Sequence, residues 1–296
     1  MAAYSLRRLL SNIKYLMQVN LREQELENRF ETLLYAEDLC RYDVLDPDDQ
    51  VRIPQILSPE SSLSLLLESP KSFARFGDGE VALIKGESIS FQEYDPRLAD
   101  EMKNILRNEC DDLYVGINYG YFHTSRHMNL FNRRFYMMNI RTPRQFLLEH
   151  CSLERPYIAA GFNQMYMCTD DADLEEYYNR IKSMFAGRDL VIFAGEGIFY
   201  KLEHDVFDQA RSKEYVWGPS RNSFAQYDLL LKKARSYGKD KTLCFILGPT
   251  SKVLVYHLAR EGYMAWDIGH MAKDYDFFCR KTEKTDDQIA EFYAAD

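Results

Sequence analysis

Short β-rich runs alternate with helical segments along most of this chain, and the alternation limits the folds open to it. The runs are rich in Val, Ile, Leu and aromatic residues, and the segments between them repeat apolar residues at helical spacing. This pattern is typical of parallel strands joined by crossover helices. We therefore predict an α/β fold with a mostly parallel sheet flanked by helices. The predicted strands lie at 73–76, 113–117, 190–194, 215–217, 243–247 and 263–266, and the predicted helices at about 97–109, 171–186, 221–236 and 251–260.

Residues 1–51 have the character of a helical extension rather than of an α/β domain. Residues 4–42 contain no Gly or Pro, and their apolar side chains recur at helical spacing. We expect one or two amphipathic helices that pack on the main domain or on a second subunit of a homo-oligomer; peripheral contact with a membrane is the alternative. The main domain, residues 52–296, should begin with a helix capped by Ser58 and carrying Pro59 in its first turn.

Charge and cysteine usage limit the partners and the compartment. The chain has 46 acidic and 37 basic residues, and a net charge of -9 disfavours binding to nucleic acid. Its six cysteines are scattered without a CxxC pair, which favours buried thiols in a reducing compartment. No apolar run reaches the roughly 20 residues of a membrane span. We expect a cytoplasmic protein without a transmembrane segment, either free or peripheral at the inner face of the membrane.

Glycine and polar residues follow five of the predicted strands. In open α/β sheets, ligands bind beyond the carboxyl ends of the strands, so these strand exits predict a single site. At any one exit, the glycine is equally explained by a tight turn alone. The exits are Gly77-Asp78-Gly79-Glu80, Gly195-Glu196-Gly197, Gly218-Pro219-Ser220-Arg221-Asn222, Gly248-Pro249-Thr250-Ser251 and Asp267-Ile268-Gly269-His270.

The first of these exits holds two carboxylates, Asp78 and Glu80, two residues apart. On extended backbone this spacing points both side chains to one face, where they can share a hard cation such as Mg²⁺ or Mn²⁺. A solvated turn is the alternative interpretation of the same triplet. Arg75, just before it, can pair with a phosphate group or with Asp78.

Two further exits carry groups that suit an anion and a metal. The segment Gly248–Ser251 lies between a predicted strand and a helix, so the free N–H groups of that helix, with the Thr250 and Ser251 hydroxyls, can bind an anion or simply cap the helix. His270 can ligate a metal, with Asp267 beside it to orient the imidazole; a structural histidine is the alternative.

Four motifs in order along the chain resemble the bacterial GT-D-fold glycosyltransferases, formerly grouped as the DUF1792 domain. The resemblance covers about residues 70–278 and leaves the N-terminal extension outside it. The motifs are Arg75-Phe76-Gly77-Asp78-Gly79-Glu80, Arg221-Asn222-Ser223-Phe224-Ala225 followed by Tyr227-Asp228, Leu247-Gly248-Pro249-Thr250, and Ala265-Trp266-Asp267-Ile268-Gly269-His270.

The resemblance implies a Rossmann-like fold that binds a nucleoside-diphosphate sugar, usually a UDP-sugar, through a metal held by an Asp-x-Glu motif. It implies transfer of the sugar to a glycan or glycoprotein acceptor in assembly of a bacterial surface glycan. Asp78 and Glu80 would hold Mn²⁺ or Mg²⁺, and His270 would complete the metal site. The donor site would comprise Arg75, Gly77, Arg221, Asn222, Gly248, Pro249, Thr250 and Asp267.

Glycosyl transfer also needs a group that accepts the proton of the acceptor or holds donor hydroxyls. We expect Glu196 in this role, with Asp276 as the second candidate, so that the predicted catalytic residues are Asp78, Glu80 and Glu196. Two alternative functions stay open for this chain, one that uses the same carboxylates in catalysis and one that is not catalytic. These are a metal-dependent phosphohydrolase or nucleotidyl enzyme, and a non-catalytic nucleotide-binding scaffold.

Overall fold

The computed structural model describes residues 52–123, 127–139, 141–170 and 173–293, together with residues 10–17, 25, 26, 29 and 33. Residues 10–17 are helical and exposed, as expected for that stretch of the extension. Residues 25, 26, 29 and 33 are helical as well, and the rest of the predicted helical region lies outside the described residues. The boundary at residue 52 and the role of the extension therefore stay predictions.

The described residues form one sheet of seven parallel strands in the order β3-β2-β1-β7-β6-β4-β5. The prediction of an α/β fold built on a parallel sheet is confirmed. The short strand β3 is absent from the sequence-based prediction, because two residues are too few to show a periodicity. The strands are β1 (Ser72–Phe76), β2 (Leu113–Ile117), β3 (Ile158–Ala159), β4 (Asp189–Gly195), β5 (Ser212–Gly218), β6 (Thr242–Ile246) and β7 (Met264–Asp267).

Helices cover both faces of the sheet. On one face α3, α8 and α9 pack on side chains such as Ala74 and Val191, and on the other α1, α7 and α10 pack on the alternate residues Phe73 and Ile192. Strands buried on both faces read as continuous apolar runs, as β6 does. The helices are α1 (Pro59–Glu68), α2 (Asp78–Ile84), α3 (Pro96–Leu106), α4 (Leu130–Asn139), α5 (Arg141–His150), α6 (Met165–Cys168), α7 (Glu175–Ser183), α8 (Tyr227–Arg235), α9 (Thr250–Arg260), α10 (Met271–Arg280) and α11 (Asp286–Tyr293).

Helix α1 begins as its sequence predicts. The Ser58 hydroxyl accepts a hydrogen bond from the Ser61 N–H group at 3.1 Å, and Pro59 occupies the first helical position. No helix among the residues described here is long and apolar enough to cross a membrane.

Strands β1 and β7 are neighbours in the sheet, but the chain leaves them on opposite faces. Strand β1 leads into α2 and α3 on one face, whereas β7 leads into α10 on the other. The diverging connections open a crevice beyond the carboxyl ends of these strands, where ligands bind in sheets of this type. The sheet topology thus places the exits at residues 77–80 and 267–270 on the two sides of one crevice.

Asp274 is a fully buried carboxylate that ties α10 to α6. It accepts hydrogen bonds from the backbone N–H groups of Tyr166 and Met167 at 3.1 and 3.0 Å, and from the Tyr178 hydroxyl. Burial raises the pKa of Asp274 to about 7, although these hydrogen bonds act in the opposite direction. Between about pH 4 and 7 the folded chain therefore holds a proton that the unfolded chain releases, and stability falls as the pH rises through this window.

We expect the substitution Asp274→Asn to remove this contribution. The free energy of unfolding, measured with urea from pH 4.5 to 7.5, should fall less steeply with pH in the variant than in the wild type. The difference in free energy of unfolding between wild type and variant should change by up to about 4 kcal/mol between about pH 4 and 7. The lost hydrogen bonds shift the variant's stability at every pH alike, so parallel curves for the two proteins would contradict the buried-acid account.

Candidate functional site

A cleft of about 510 Å³ lies at the carboxyl ends of β1, β2, β6 and β7. Its volume is in the range of small-molecule binding sites in proteins. Eight of the predicted site residues line it: Arg75, Gly77, Asp78, Glu80, Gly248, Pro249, Asp267 and His270.

The predicted carboxylate pair lies in the first turn of α2 rather than on extended backbone. Asp78 and Glu80 are the first and third residues of this helix. Side chains two residues apart on a helix point about 200° away from each other around the helix axis. On a strand, the same spacing would place both on one face. Glu80 instead turns back, and its Oε2 accepts a hydrogen bond from the Gly77 N–H group at 2.8 Å. The expected strand-like geometry is therefore wrong, although both residues still line the cleft.

Asp78 is exposed toward the cleft, and the protein around it partly desolvates its carboxyl group. This desolvation raises the pKa of Asp78, and the neighbouring negative charge of Glu80 raises it further. The backbone N–H groups of Asp78 and Gly79 act in the opposite direction. Asp78 forms no ion pair with any residue in the described part of the chain. A cation beside it would relieve both unfavourable effects.

Lys252, in the first turn of α9, is the cation at the centre of the site. Its Nζ lies 2.9 Å from Glu80 Oε1 and 3.2 Å from Asp267 Oδ2, and it donates to the Gly248 carbonyl at 3.2 Å. The side chain is 7% exposed, so these partners replace the water that the ammonium group has lost. A lysine in the first turn also opposes the helix dipole, so the nearby carboxylates account for its position.

Arg75 joins β1, β7 and the turn at residues 160–163 beneath the cleft. Its Nε donates to the Asp267 carbonyl at 2.7 Å, and its Nη1 donates to Asn163 Oδ1 at 2.9 Å and to the Ala160 carbonyl at 3.1 Å. The Arg75 N–H group also donates to Asp267 Oδ2 at 3.0 Å. The ion partner of Arg75 is thus Asp267, at 3.4 Å, and not Asp78.

The start of α9 is organised differently from the predicted anion site. The Ser251 hydroxyl accepts from the Leu247 N–H group at 3.0 Å, and the Thr250 side chain is completely buried away from the cleft. The N–H groups of Ser251 and Lys252 donate to the Gly248 and Pro249 carbonyls. In this structure, therefore, Gly248, Pro249 and Lys252 face the cleft at this exit, and the two hydroxyls do not.

Asn222 holds the turn at residues 89–92 against the cleft. Its N–H group donates to the Phe91 carbonyl at 2.8 Å, and its Oδ1 accepts from the Glu93 N–H group at 2.7 Å. Asn222 adopts a left-handed conformation with φ 52°, which asparagine tolerates better than most residues. Neither Asn222 nor the exposed Arg221 lines the cleft, and their contacts with the donor stay a prediction.

The two candidates for the proton acceptor lie outside the cleft. Glu196 is exposed at the end of β4, where its N–H group donates to the Gly218 carbonyl. Asp276 is completely buried, and its Oδ1 accepts from the N–H groups of Glu203 and His204. Asp276 therefore anchors the turn at residues 203–204 and is excluded as a base at the cleft.

His270 lines the cleft among aromatic rings. Its ring centroid lies 5.2 Å from that of Phe292, 6.2 Å from that of Tyr293 and 6.4 Å from that of Phe91. Over the described ranges, no group of three or more His, Cys, Asp or Glu side chains is gathered closely enough to hold a metal ion. Asp78, Glu80 and His270 thus do not form a three-ligand set here, and the metal site stays a prediction.

Lys252 and Asn163 contribute to the site but are absent from the sequence-based prediction. Asn163 holds Arg75 and donates to the Ile268 carbonyl at 2.6 Å, from a segment with no glycine-rich strand exit to mark it. Lys252 does have a signal in the sequence. It is a charged residue directly before the apolar residues Val253, Leu254 and Val255 of a helix that the sequence predicts, and a buried charge needs a charged partner.

The parallel sheet, its switch point and the charged cleft define an α/β protein with a candidate small-molecule site at the carboxyl edge of the sheet. The family model of the glycosyltransferase GT-D fold matches residues 73–295, and the chain belongs to this family. The prediction of the family is confirmed.

Known relatives and solved structures agree with this assignment. The chain is 31% identical over 229 residues to a probable glycosyl transferase Gly of Streptococcus gordonii, a match that covers 75% of this chain and 33% of that protein. It is 29% identical over 234 residues to glycosyltransferase GlyD of Streptococcus pneumoniae, covering 76% of this chain and 28% of that protein. The chain therefore spans about a third or less of the length of these curated relatives.

Two solved structures share the fold. A protein described as a new glycosyltransferase (DUF1792) from Streptococcus sanguinis superimposes with a TM-score of 0.72 and 30% identity, covering 77% of this chain and 86% of that one. A structure of the domain of unknown function 1792, described as having a distinct glycosyltransferase fold, gives a TM-score of 0.73 at 29% identity, covering 78% and 84% of the two chains.

Gly269 provides a test of the Arg75 contacts. It has φ +44°, and a Cβ atom there would lie 1.9 Å from Arg75 Nη2. We expect Gly269→Ala to lower the free energy of unfolding because it combines backbone strain with displacement of the guanidinium group. Gly262→Ala is the matched control, because Gly262 has φ +82° and its nearest atom, Lys239 Nζ, is 3.7 Å away.

Both variants place an alanine at a positive φ and so carry backbone strain. The difference between their free energies of unfolding therefore measures the clash of a Cβ atom at position 269 with Arg75. In urea unfolding, Gly269→Ala should be less stable than Gly262→Ala by about 1–3 kcal/mol. Equal stability of the two variants would show that the Arg75 side chain can move aside without any loss of stability.

Proposed function

We propose that this chain is a metal-dependent glycosyltransferase that takes a sugar from a nucleoside-diphosphate sugar, with UDP-sugars as the donor class. The acceptor would be a glycan or glycoprotein in assembly of a bacterial surface glycan. The observation that carries the proposal is the charged cleft at the β1–β7 switch point of a GT-D-family chain, with Asp78 and Glu80 on its wall.

The charge balance of the cleft supports metal dependence. Arg75 is paired with Asp267, and Lys252 with Glu80, so these two cations are already neutralised by carboxylates. Lys273 is a third cationic side chain on the cleft lining. Asp78 adds a further negative charge. A diphosphate brought to this wall would meet a group of charges that is not positive, and its binding would need additional positive charge.

The donor atoms at this wall fit a hard cation. Two neighbouring carboxylates that repel each other are ligands preferred by Mg²⁺ and Mn²⁺, which complete their coordination with phosphate oxygens and water. Asp78 and Glu80 would hold the ion, with His270 as a further candidate ligand. For Glu80 this means sharing its carboxylate with Lys252. When bound, the ion would supply charge stabilisation of the leaving diphosphate.

The chain's own residues would do the remaining work. Lys252 and Arg75 hold the carboxylates and brace the strand exits, and the turn at residues 89–92 closes one side of the cleft. In the transfer, the acceptor hydroxyl bonds to the anomeric carbon as the bond from that carbon to the diphosphate oxygen breaks, and the hydroxyl proton passes to a base. Glu196 remains our candidate base for an acceptor that approaches from the side of β4 and β5.

We expect Asp78→Asn and Glu80→Gln each to lower sugar transfer by about 10²–10³-fold, because each removes a carboxylate ligand of the ion that would stabilise the leaving diphosphate. Calorimetry with Mn²⁺ and UDP should show that metal-dependent nucleotide binding is weakened in both. Asp112→Asn is the control, since Asp112 is an exposed carboxylate at the amino end of β2, on the opposite edge of the sheet.

The assay would use a panel of nucleotide sugars with metal present and chelated. Nucleotide release that is equally fast with and without an acceptor would point to a phosphohydrolase instead. Full turnover in Asp78→Asn, or in the wild type after chelation, would rule out metal dependence at this site.

A further inference from the structure

An exposed group of aromatic rings lies on the edge of the sheet next to the cleft. Tyr215 and Trp217, on the edge strand β5, stack with ring centroids 5.6 Å apart and an angle of 12° between the planes. Phe199 meets them edge-on, at 5.4 Å from Tyr215 and 6.2 Å from Trp217. We call these three residues the aromatic platform.

The platform is not part of the buried core. Trp217 is 48% exposed and Tyr215 is 38% exposed, whereas the other tryptophan of the chain, Trp266, is 2% exposed. Tyr200, the residue after Phe199, is 76% exposed. Grouped aromatic exposure of this kind marks a contact surface rather than a folding requirement.

The platform is continuous with the cleft. Residue pairs Ala194–Trp217 and Gly195–Gly218 are in register between β4 and β5, so Trp217 lies at the same carboxyl edge of the sheet as the cleft. Ile198, one residue before Phe199, and Ser220, three residues after Trp217, both line the cleft.

The two exits that join the platform to the cleft are closely packed. A Cβ atom on Gly195 would lie 2.8 Å from the Ser220 Cα atom. Glu196 follows Gly195 and precedes the turn that carries Phe199. A ligand that rests on the platform would therefore reach the cleft past Glu196.

The chemistry of the platform fits a sugar ring. The faces of aromatic rings carry partial negative charge and pack favourably against the weakly positive C–H groups on the flat side of a pyranose. Beside Tyr215, the ion pair of Lys213 and Asp205 offers a donor and acceptors for sugar hydroxyls. A polyanion is disfavoured by the net charge of -9.

We propose that the aromatic platform is an acceptor subsite that binds a neutral sugar ring of the acceptor glycan beside the donor cleft. This proposal rests on the proposed function in assigning the sugar to the acceptor. Binding of a sugar to the platform can nonetheless be measured without any transfer reaction.

Trp217 itself is the probe for binding. The chain has two tryptophans, and because Trp266 is buried, acrylamide should quench mainly the emission of Trp217. Methyl glycosides of glucose, galactose and N-acetylglucosamine, and disaccharides of these sugars, would be titrated into the full chain. We expect at least one of them to protect Trp217 from quenching and to give saturation-transfer signals in NMR.

Variants then locate the contact. Trp217→Ala should lower the affinity for that sugar about tenfold or more, which corresponds to about 1.4 kcal/mol, whereas Trp217→Phe, which keeps an aromatic face, should lose less. Leu229→Ala, at a residue 68% exposed on α8, is the control for removing an apolar surface group and should bind as the wild type does. Calorimetry with UDP and Mn²⁺ reports separately on the cleft.

The outcomes are distinguishable. Protection of Trp217 without UDP binding would keep the sugar site and reject the proposed donor function. If no glycoside in the panel protects Trp217, or if the sugar signals persist in Trp217→Ala, the platform is not a sugar site. If Trp217 resists quenching in the free chain and light scattering shows a dimer, a second copy covers β5 and the proposal is overturned.

Discussion

A chain of buried ion pairs across the β1–β7 boundary is the feature on which the arrangement of the site depends. Arg75 pairs with Asp267, Asp267 shares Lys252 with Glu80, and Glu80 is bonded to the Gly77 N–H group. Burial of charges is unfavourable unless each is paired. Removal of Lys252 would therefore leave Glu80 without its counter-charge, and removal of Asp267 would do the same to Arg75. The network therefore fixes the relative positions of three strand exits that are distant in sequence.

The network also explains the character of the cleft wall. Its cations Arg75 and Lys252 are paired with carboxylates, and the remaining carboxylate, Asp78, opens to the cleft with a raised pKa because of partial desolvation and the nearby Glu80 charge. Such a wall suits a ligand that arrives with positive charge of its own, as a metal–diphosphate complex does. The opposite boundary of the cleft, toward β4 and β5, leads to the aromatic platform. Charge thus predominates on one side and aromatic surface on the other, a division suited to a donor with a diphosphate and an acceptor with a sugar ring.

Local backbone form changed the interpretation of several motifs. The spacing of Asp78 and Glu80 points both side chains to one face only on extended backbone, but Gly77 follows β1 and α2 begins at the next residue, so the carboxylates follow helical geometry. Thr250 and Ser251 have the composition of an anion-binding turn, yet Gly248, with φ +55°, reverses the chain so that both hydroxyls are buried. Asn222 is near the cleft as the motif indicates, but its side chain is used to hold the turn at residues 89–92. In each case the residue type was informative about location and not about the direction of the side chain.

The sequence by itself determined the α/β class, the position of most strands, the helices α1, α3, α7, α8 and α9, the cap of α1 and the presence of a site at the strand exits. These follow from periodicity and from turn chemistry, which depend on neighbours along the chain. The tertiary structure alone decided that β1 lies beside β7, that Arg75 pairs with Asp267, and that Lys252 reaches Glu80 across 172 positions of sequence. Strand order and long-range ion pairs arise from packing between distant segments, and a local pattern of residues carries no record of which distant segment will be its neighbour.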